Sequence, residues 1–274
     1  MAGELCVRWG LRVTGDPMHG CMALVVPVLR GDARYALKVS WIDHETVNEA
    51  AALALWNGGG AVRLLDADGP AGALLLEWLD PRRRLAEADL RVAVPAAGRL
   101  LRRLEVPVPA KWPARPVPRL GQWALGLAAE LPGLWRAAGR PFPGRRLDAA
   151  VEVAASLALR AGGLLANRDM HYQNVLAGER EPWLVIDPKV MRGDAEFGLA
   201  PLLWHRLGEA GGPAGLRRRF DALVDEAGLD AELARGWTLL RAVDYQLWAL
   251  PLGLTEDFAR CATVIDWLSL TGSP

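Results

Sequence analysis

The pattern of apolar and polar positions in the first eighty residues is typical of strands arranged around one helix. Residues 23–29 and 35–39 are rich in apolar and β-branched side chains and flank the short polar turn 30–33. Two such runs separated by turn residues predict a β-hairpin.

A helix and two further strands are predicted next. Asp43 can cap a helix with apolar or small residues at helical spacing as far as about Trp56, and Gly58-Gly59-Gly60 ends it. Residues 62–65 and 73–79 then predict strands on either side of a turn at 66–70.

From residue 80 onward the apolar spacing changes to the 3.6-residue period of helices. Six segments carry this period: 85–104, 122–138, 147–165, 215–227, 231–250 and 255–270. The proline-rich segment 106–118 is predicted to be an extended connection. The fold class is therefore α+β, with a small β-rich lobe over 1–79 and a larger, mainly helical lobe over 80–274. We expect a ligand cleft where the two lobes join.

Composition narrows the classes of protein and partner. The 274 residues are 51% hydrophobic and 23% charged, which is typical of a packed globular chain. The 32 basic residues balance the 32 acidic ones, so the chain has no positive excess with which to bind nucleic acid.

The cysteines and apolar runs indicate a cytoplasmic location. Cys6, Cys21 and Cys261 are scattered and contain no C-x-x-C pair, so neither a disulfide framework nor a zinc site is predicted. The apolar run 21–29 is too short to span a membrane, and Glu4 lies where a signal segment would be apolar. We expect no membrane partner, and the oligomeric state stays open.

Candidate chemistry is concentrated in one non-helical segment, residues 164–189, in which two short strands flank a turn. If Ala177 pairs with Leu184, Asn174 lies opposite Asp187 at the end of a hairpin. An amide and a carboxylate oxygen are suitable ligands for Mg²⁺. Asp169, five residues before Asn174, would remain available as a base, and this division of labour is the one that phosphoryl transfer needs.

A kinase also needs a strand lysine for the phosphates and a helical glutamate to hold it. The chain has lysines only at 38, 111 and 189, and Lys38 lies in the second predicted strand. Glu45 and Glu49 share one face of the following helix. We favour Glu49 as the partner of Lys38, because Glu45 in the first turn can simply complement the helix dipole.

Together these motifs resemble the aminoglycoside phosphotransferase superfamily, and most closely its streptomycin 6-kinase and hydroxyurea phosphotransferase branch. The similarity covers nearly the whole chain. It is carried by His19-Gly20, Leu37-Lys38-Val39 with Glu45-Thr46 and Glu49, Val62 to Asp66, Leu74 to Glu77, Glu181 to Lys189, Gly193-Asp194, and Leu199 to Trp204.

The resemblance implies a bilobal protein-kinase-like fold with ATP between the lobes and Mg²⁺ as a cofactor. It assigns Lys38 to the phosphates, Asp169 as catalytic base, Asn174 and Asp187 to Mg²⁺, and the backbone of Glu77 and Leu79 to the adenine. Two departures stand out. Asn167-Arg168 replaces the usual His-Gly before the catalytic aspartate, and Gly198 stands where many relatives have aspartate.

Two residues near the end of the chain are candidates for binding the acceptor. Trp248 follows Asp244 by one helical turn, so the pair can form one wall of an acceptor pocket. His171 and Lys189 are interpreted as structural residues, although both lie close to proposed catalytic positions.

The leading hypothesis is an ATP- and Mg²⁺-dependent small-molecule O-phosphotransferase that transfers the γ-phosphate to a hydroxyl of a streptomycin-like aminoglycoside. Alternatives are a kinase of a sugar, an amino sugar or a hydroxyurea-like metabolite, and a nucleotide-binding pseudokinase suggested by the two departures. GTP as the phosphoryl donor also stays open.

Overall fold

The computed structural model describes residues 2–20 and 22–269. Cys21, the second of the three thiols, and residues 270–274, which include the predicted end of the last helix, lie outside the described residues. Within that range, no helix is both long and apolar enough to cross a lipid bilayer.

Strands occur in two regions of the chain. The N-terminal hairpin forms as predicted, with its two strands paired from Ala23↔Ser40 to Arg30↔Ala33. The strands are β1 Arg12–Val13, β2 Met18–His19, β3 Ala23–Arg30, β4 Ala33–Ser40, β5 Leu64–Asp68, β6 Ala73–Glu77, β7 Asp80–Arg84, β8 Leu164–Asn167, β9 Val175–Ala177, β10 Leu184–Val185 and β11 Val190–Gly193.

Helices dominate the chain from Leu90 onward, and one helix overlaps each predicted segment. They are α1 Ala2–Arg8, α2 Glu49–Trp56, α3 Leu90–Leu104, α4 Leu120–Ala137, α5 Gly144–Arg160, α6 Ala200–Trp204, α7 Pro213–Ala227, α8 Ala231–Ala249 and α9 Thr255–Ser269. The proline-rich connection 106–118 contains no helix and no named strand, as expected.

Several predicted boundaries were wrong, each for a local reason. The second helix begins at Glu49 rather than after Asp43, because the Asp43 carboxylate accepts the N–H groups of Glu45 and Thr46 and closes a turn. The helix predicted from 85 begins at Leu90, where the Asp89 side chain caps it. The helix predicted to 165 ends at Arg160 and gives way to β8.

The described residues form two compact units. The first comprises the residues up to Ala88 together with Pro109–Val117 and Gln173–Val190, and the second comprises the remainder. The units are therefore not the continuous segments 1–79 and 80–274. The physical reason is strand pairing, because β7 pairs with β9 and β9 pairs with β10, which ties the later hairpin to the first unit.

The first unit is built on an antiparallel sheet with the strand order β1-β3-β4-β6-β5, and β2 also pairs with β3. Its core contains residues of α1 and of the central strands: Leu5, Cys6, Leu11, Val26, Val28, Leu37, Ala73 and Leu75. Burial of these apolar side chains fixes β4 and β6 at the centre of the sheet. Lys38 follows the buried Leu37 on β4 and is itself buried.

The second unit is a helical assembly in which α4 packs on α5, α8 on α9 and α3 on α7. At its centre the ring of Phe197 meets those of Trp123 and Trp237 edge-on, with centroids 5.2 and 5.4 Å apart. The buried Asp194 accepts the indole N–H of Trp237 at 2.8 Å and the N–H of Gly162 at 2.6 Å. Asp194 thus anchors the chain just before β8, the strand that leads to Asp169.

Candidate active site

Lys38 is the centre of a buried ionic cluster in the first unit. Its Nζ donates to both carboxylate oxygens of Glu49, at 2.6 and 2.7 Å, and to Oδ1 of Asp187 at 2.7 Å. Lys38 and Glu49 are only 5% and 3% exposed, whereas the Asp187 side chain is 41% exposed. The predicted contact between the strand lysine and Glu49 is therefore present, and Asp187 joins it.

The charge state of Lys38 follows from two opposing effects. Burial disfavours the ammonium, but attraction to Glu49 and Asp187 outweighs it, so the pKa of Lys38 lies above its ordinary value. Lys38 is therefore a fixed positive charge at neutral pH, as a ligand for phosphate groups must be.

Helix α2, which carries Glu49, is anchored from outside. Asn48, at the N-terminal end of the helix, accepts the indole N–H of Trp112 at 2.7 Å. Trp112 belongs to the proline-rich connection, so that connection supports the helix that holds Lys38. Glu45, the alternative partner of Lys38, instead lies 3.4 Å from Nζ of Lys189.

The hairpin β9–β10 differs from its predicted register by one residue. Leu176 pairs with Leu184 and Val175 with Val185, and the N–H of Ile186 donates to the Asn174 carbonyl at 2.9 Å. The predicted pairing of Asn174 opposite Asp187 was therefore wrong, because Asn174 faces Ile186. Asp187 follows the ladder with φ of 51°, in the left-handed region, which aspartate adopts more readily than most residues.

The oxygen ligands at this hairpin end fit a hard divalent cation. Asn174 and Asp187 still adjoin, one residue apart across the end of the ladder, and they supply amide and carboxylate oxygens. One oxygen of Asp187 accepts from Lys38, which leaves the second oxygen of this half-exposed side chain for a metal. Among the described residues, no group of three or more His, Cys, Asp or Glu forms a metal site. The remaining ligands of such an ion would have to be water and phosphate.

Glu77 and Leu79 lie where β6 ends. The N–H of Glu77 donates to the Arg63 carbonyl at 3.0 Å, so that N–H is already engaged. The Glu77 carboxylate accepts from Arg180 at 2.7 Å, and Arg180 also donates to the Gly58 carbonyl at 2.8 Å. Arg180 thus fastens the turn between β9 and β10 to the end of the sheet.

The loop carrying Asp169 belongs to the second unit. The buried Asn167 turns its side-chain oxygen back to accept the N–H of Asp169 at 3.1 Å. This local bond is typical of asparagine in turns, and it gives Asn167 a role in holding the backbone at Asp169. The Asp169 carboxylate is 29% exposed and lies 3.7 Å from Nε2 of His171.

His171 stacks on His205 beside this loop, with ring centroids 4.6 Å apart and planes inclined by 14°. Burial, followed by repulsion from His171, lowers the pKa of His205 from 6.5 to about 4. His171 thus contacts both the proposed base and a ring that resists protonation, consistent with its structural interpretation.

Lower pH should destabilise the protein through His205. Its pKa is depressed in the folded state, so the unfolded chain takes up the proton first as pH falls below about 6.5. The free energy of unfolding keeps its full value above that pH and decreases by at most about 3 kcal/mol as the pH falls towards 4. Urea denaturation at several pH values measures this slope. We expect His205→Gln to flatten it and exposed His44→Gln to leave it unchanged; an unchanged slope in His205→Gln would contradict the assignment.

Asp244 and Trp248 lie on α8 in the second unit. Trp248 is 52% exposed and stacks on Tyr245, with centroids 5.2 Å apart, and Tyr245 stacks on Trp204 at 5.5 Å. Burial raises the pKa of Asp244, while Arg168 and Arg241 oppose the shift. Trp248 is therefore the half-exposed end of a row of three stacked aromatic rings, Trp204, Tyr245 and Trp248, and the acceptor-binding role of Asp244 and Trp248 stays a prediction.

Sequence reasoning missed three residues that hold the site. Arg180 binds Glu77, Trp112 binds the end of α2, and Arg241 donates to the Arg168 carbonyl at 2.7 Å. Each is separated from its partner by more than sixty residues, so no local spacing reveals the contact. For Arg241 alone, the sequence offered an indication, because this residue lies one helical turn before the candidate Asp244.

Comparisons with known proteins place this arrangement in a class. A thermostable mutant of aminoglycoside phosphotransferase APH(4)-Ia, solved in a ternary complex with ADP and hygromycin B, matches with a TM-score of 0.65 at 14% identity, over 99% of each chain. The fold is thus the protein-kinase-like fold, as predicted.

The family follows from sequence comparison. Residues 8–253 match the model of the aminoglycoside/hydroxyurea antibiotic resistance kinases, and the chain belongs to that family. It is 47% identical to a hydroxyurea phosphotransferase of Kitasatospora aureofaciens, over 91% of this chain and 72% of the relative. It is 41% identical to a streptomycin 6-kinase of Streptomyces griseus, over 91% and 82%. The protein is thus a phosphotransferase with an alcohol-type acceptor.

Proposed function

We propose that this protein transfers the γ-phosphoryl group of ATP to a hydroxyl of an aminoglycoside, with a streptomycin-like compound as acceptor. The observation that carries the proposal is the buried cluster of Lys38, Glu49 and Asp187, because buried charges of this kind are concentrated at functional sites and this cluster fixes an ammonium group next to the half-exposed Asp187. The kinship with a streptomycin 6-kinase supports the choice of acceptor.

In this proposal the first unit binds the nucleotide. Lys38, held by Glu49, neutralises phosphate oxygens as negative charge shifts during transfer. The N–H of Leu79 and the carbonyl of Glu77 bind the adenine, since the N–H of Glu77 is engaged by Arg63. Asn174 and Asp187 hold Mg²⁺, which when bound shields the charge of the phosphates.

Asp169 is the proposed catalytic base. Its carboxylate accepts a hydrogen bond from the acceptor hydroxyl and orients the oxygen lone pair towards the γ-phosphorus. The new oxygen–phosphorus bond forms as the bond to the ADP oxygen breaks, and the hydroxyl proton passes to Asp169. The Asn167 side chain fixes the N–H of Asp169 and so limits the orientations of this loop.

The aromatic row ending at Trp248 is the proposed acceptor platform, and Asp244 contributes negative charge beside it. A cationic acceptor group over an aromatic face gains about 0.5–2 kcal/mol. We therefore expect Trp248→Ala to raise the KM for the acceptor about 3- to 30-fold with little change in kcat, and Trp248→Phe to retain most of the affinity. Steady-state kinetics tests this, with exposed Leu159→Ala as the control. An unchanged KM in Trp248→Ala would exclude the platform.

Hydroxyurea is the second candidate acceptor, favoured by the 47% identity to a hydroxyurea phosphotransferase. Hydroxyurea is small and uncharged, so its turnover should not depend on a stacking platform for a cation. Trp248→Ala therefore also separates the two candidates, because only the aminoglycoside reaction should weaken.

Mass spectrometry of acceptors incubated with enzyme and MgATP tests the proposal. The panel comprises streptomycin, other aminoglycosides, amino sugars and hydroxyurea, with GTP replacing ATP in a parallel series. We expect the mass gain of one phosphoryl group on streptomycin. Transfer to hydroxyurea alone would establish the second candidate, and nucleotide binding without transfer to any compound would favour a pseudokinase.

A further inference from the structure

Arg241 joins two segments beside the loop that carries Asp169. From α8, its guanidinium donates through Nη1 to the Phe197 carbonyl at 2.8 Å and through Nη2 to the Arg168 carbonyl at 2.7 Å. The first carbonyl immediately precedes Gly198 and the second immediately precedes Asp169. One side chain thus connects two backbone segments about thirty residues apart in sequence.

The surroundings hold Arg241 in this position. Its guanidinium carbon lies 4.4 Å from the ring centroid of Phe197 and 5.4 Å from that of Trp204. Burial, then repulsion from Arg168, lowers the pKa of Arg241 to about 9, so the group still carries its charge at neutral pH. A charged donor between two aromatic rings and two carbonyls forms stronger bonds than it would in water.

Gly198 brings the same two segments into direct contact. A Cβ atom added at Gly198 would lie 3.0 Å from the Asn167 carbonyl oxygen and 3.0 Å from a Leu101 methyl carbon. The lack of a side chain therefore lets this segment approach the end of β8. Gly198 permits this close approach, and Arg241 holds the two segments together by donating to the carbonyl of Phe197 in one and of Arg168 in the other.

We propose that Arg241 is a positioning residue, which fixes the peptide group before Asp169 and thereby sets the direction of the Asp169 carboxylate. The expected effect on kcat rests on the proposed function, whereas the expected effect on the structure of the loop does not. The peptide between Arg168 and Asp169 is held at both polar groups, since Arg241 takes the carbonyl and Asn167 takes the N–H.

We expect that lysine cannot perform the role of Arg241, although it would conserve the positive charge. The guanidinium presents several N–H groups in one rigid plane, which allows it to donate to two carbonyls of different segments at once. An ammonium on a flexible chain lacks that fork, so Arg241→Lys should lose the connection while retaining a buried cation. The pair of variants Arg241→Lys and Arg241→Met therefore separates geometry from charge.

Hydrogen exchange and kinetics together test the proposal. We expect Arg241→Met to accelerate amide exchange in residues 166–170 at least tenfold and to lower kcat about 10²-fold, because small misplacement of a reacting group has effects of that size. The KM for MgATP should change less than twofold. Arg241→Lys should show the same changes at smaller amplitude and provides the readout if Arg241→Met does not fold.

Arg235 supplies the matched control on the same helix. It donates to the carbonyl of Leu268 on α9 at 2.9 Å and lies 5.4 Å from the ring of Phe220 on α7. We expect Arg235→Met to lower the melting temperature without accelerating exchange at 166–170 or lowering kcat.

Two results would overturn the role of Arg241. One is unchanged exchange at 166–170 in both Arg241 variants; the other is a kcat loss no greater than that of Arg235→Met at equal loss of stability. If the wild-type enzyme transferred no phosphoryl group at all, the proposed function would fail, and the exchange measurement would still decide whether Arg241 holds the loop.

Discussion

Asp169→Asn should lower kcat by a factor of about 10²–10⁴, the range expected when a general base is removed. Asparagine is nearly isosteric but cannot take the proton of the acceptor hydroxyl. The hydrogen bond to the Asn167 side chain is donated by the backbone N–H of Asp169. The substitution does not remove that group, so the loop should keep its shape. Because Asp169 belongs to a different unit from Lys38, Glu49 and Asp187, the affinity for MgATP should stay within about twofold.

Acceptor-dependent ADP release and calorimetric titration of MgATP measure these two quantities. Asp266→Asn is a suitable control, because Asp266 on α9 is an exposed carboxylate that pairs only with Arg146 among the contacts found in the described residues. Full activity in Asp169→Asn would refute the assignment of the base. Equal loss of activity and of MgATP affinity would show instead that the substitution damages nucleotide binding.

Lys38→Met should have the largest effect on stability. It leaves the nearly inaccessible Glu49 carboxylate without its cation and places it near Asp187 with nothing to separate the two charges. Removing one member of a buried ion pair costs about 3–5 kcal/mol. Phosphoryl transfer should also fall sharply, because the charge proposed to neutralise the phosphates is gone. Urea denaturation gives the change in unfolding free energy, and MgATP titration gives the change in affinity.

The double variant Lys38→Met/Glu49→Leu separates the two effects. An apolar pair of similar volume avoids the unpaired charge, so stability should recover by several kcal/mol. Activity should not recover, because neither side chain can bind phosphate. Recovery of transfer in the double variant, or a single variant as stable as the wild type, would contradict the role given to this cluster.

The sequence was most informative where function depends on local spacing. Lys38 could be assigned because strand residues 35–39 are strongly apolar and only three lysines occur in the chain. Glu49 was assigned because the helix was predicted to begin after Asp43, which would place Glu49 beyond the first turn. The contact with Lys38 is present, but that reason was wrong, because the helix begins at Glu49 itself. The contact between them follows from the packing of α2 beside the sheet, which the hydrophobic pattern also indicates.

The register of the β9–β10 hairpin was beyond that reasoning. A shift of one residue reverses the face of every side chain in a regular strand, and the six-residue connection between Ala177 and Leu184 does not fix the register. Asp187 nevertheless adjoins Asn174, because the residue before it, Ile186, donates its N–H to the Asn174 carbonyl at the end of the ladder.

Long-range polar contacts were also unpredictable. Arg180 and Arg241 each donate to backbone carbonyls, and every residue in the chain offers a carbonyl as an acceptor. In a chain with so many arginines, nothing local distinguishes the two that connect functional segments. The departures at Asn167 and Gly198 become intelligible only when their contacts with the loop are seen.

Phosphorus NMR of the wild-type enzyme with MgATP and streptomycin would follow phosphoryl transfer to the acceptor directly. We expect the γ-phosphate resonance of ATP to decline while a phosphomonoester resonance of equal intensity appears on the acceptor, with little inorganic phosphate. Asp169→Asn should show neither change over the same time. Inorganic phosphate as the main product, or an unchanged ATP spectrum with every acceptor of the panel, would contradict the assignment of this protein as an acceptor-phosphorylating enzyme of this kind.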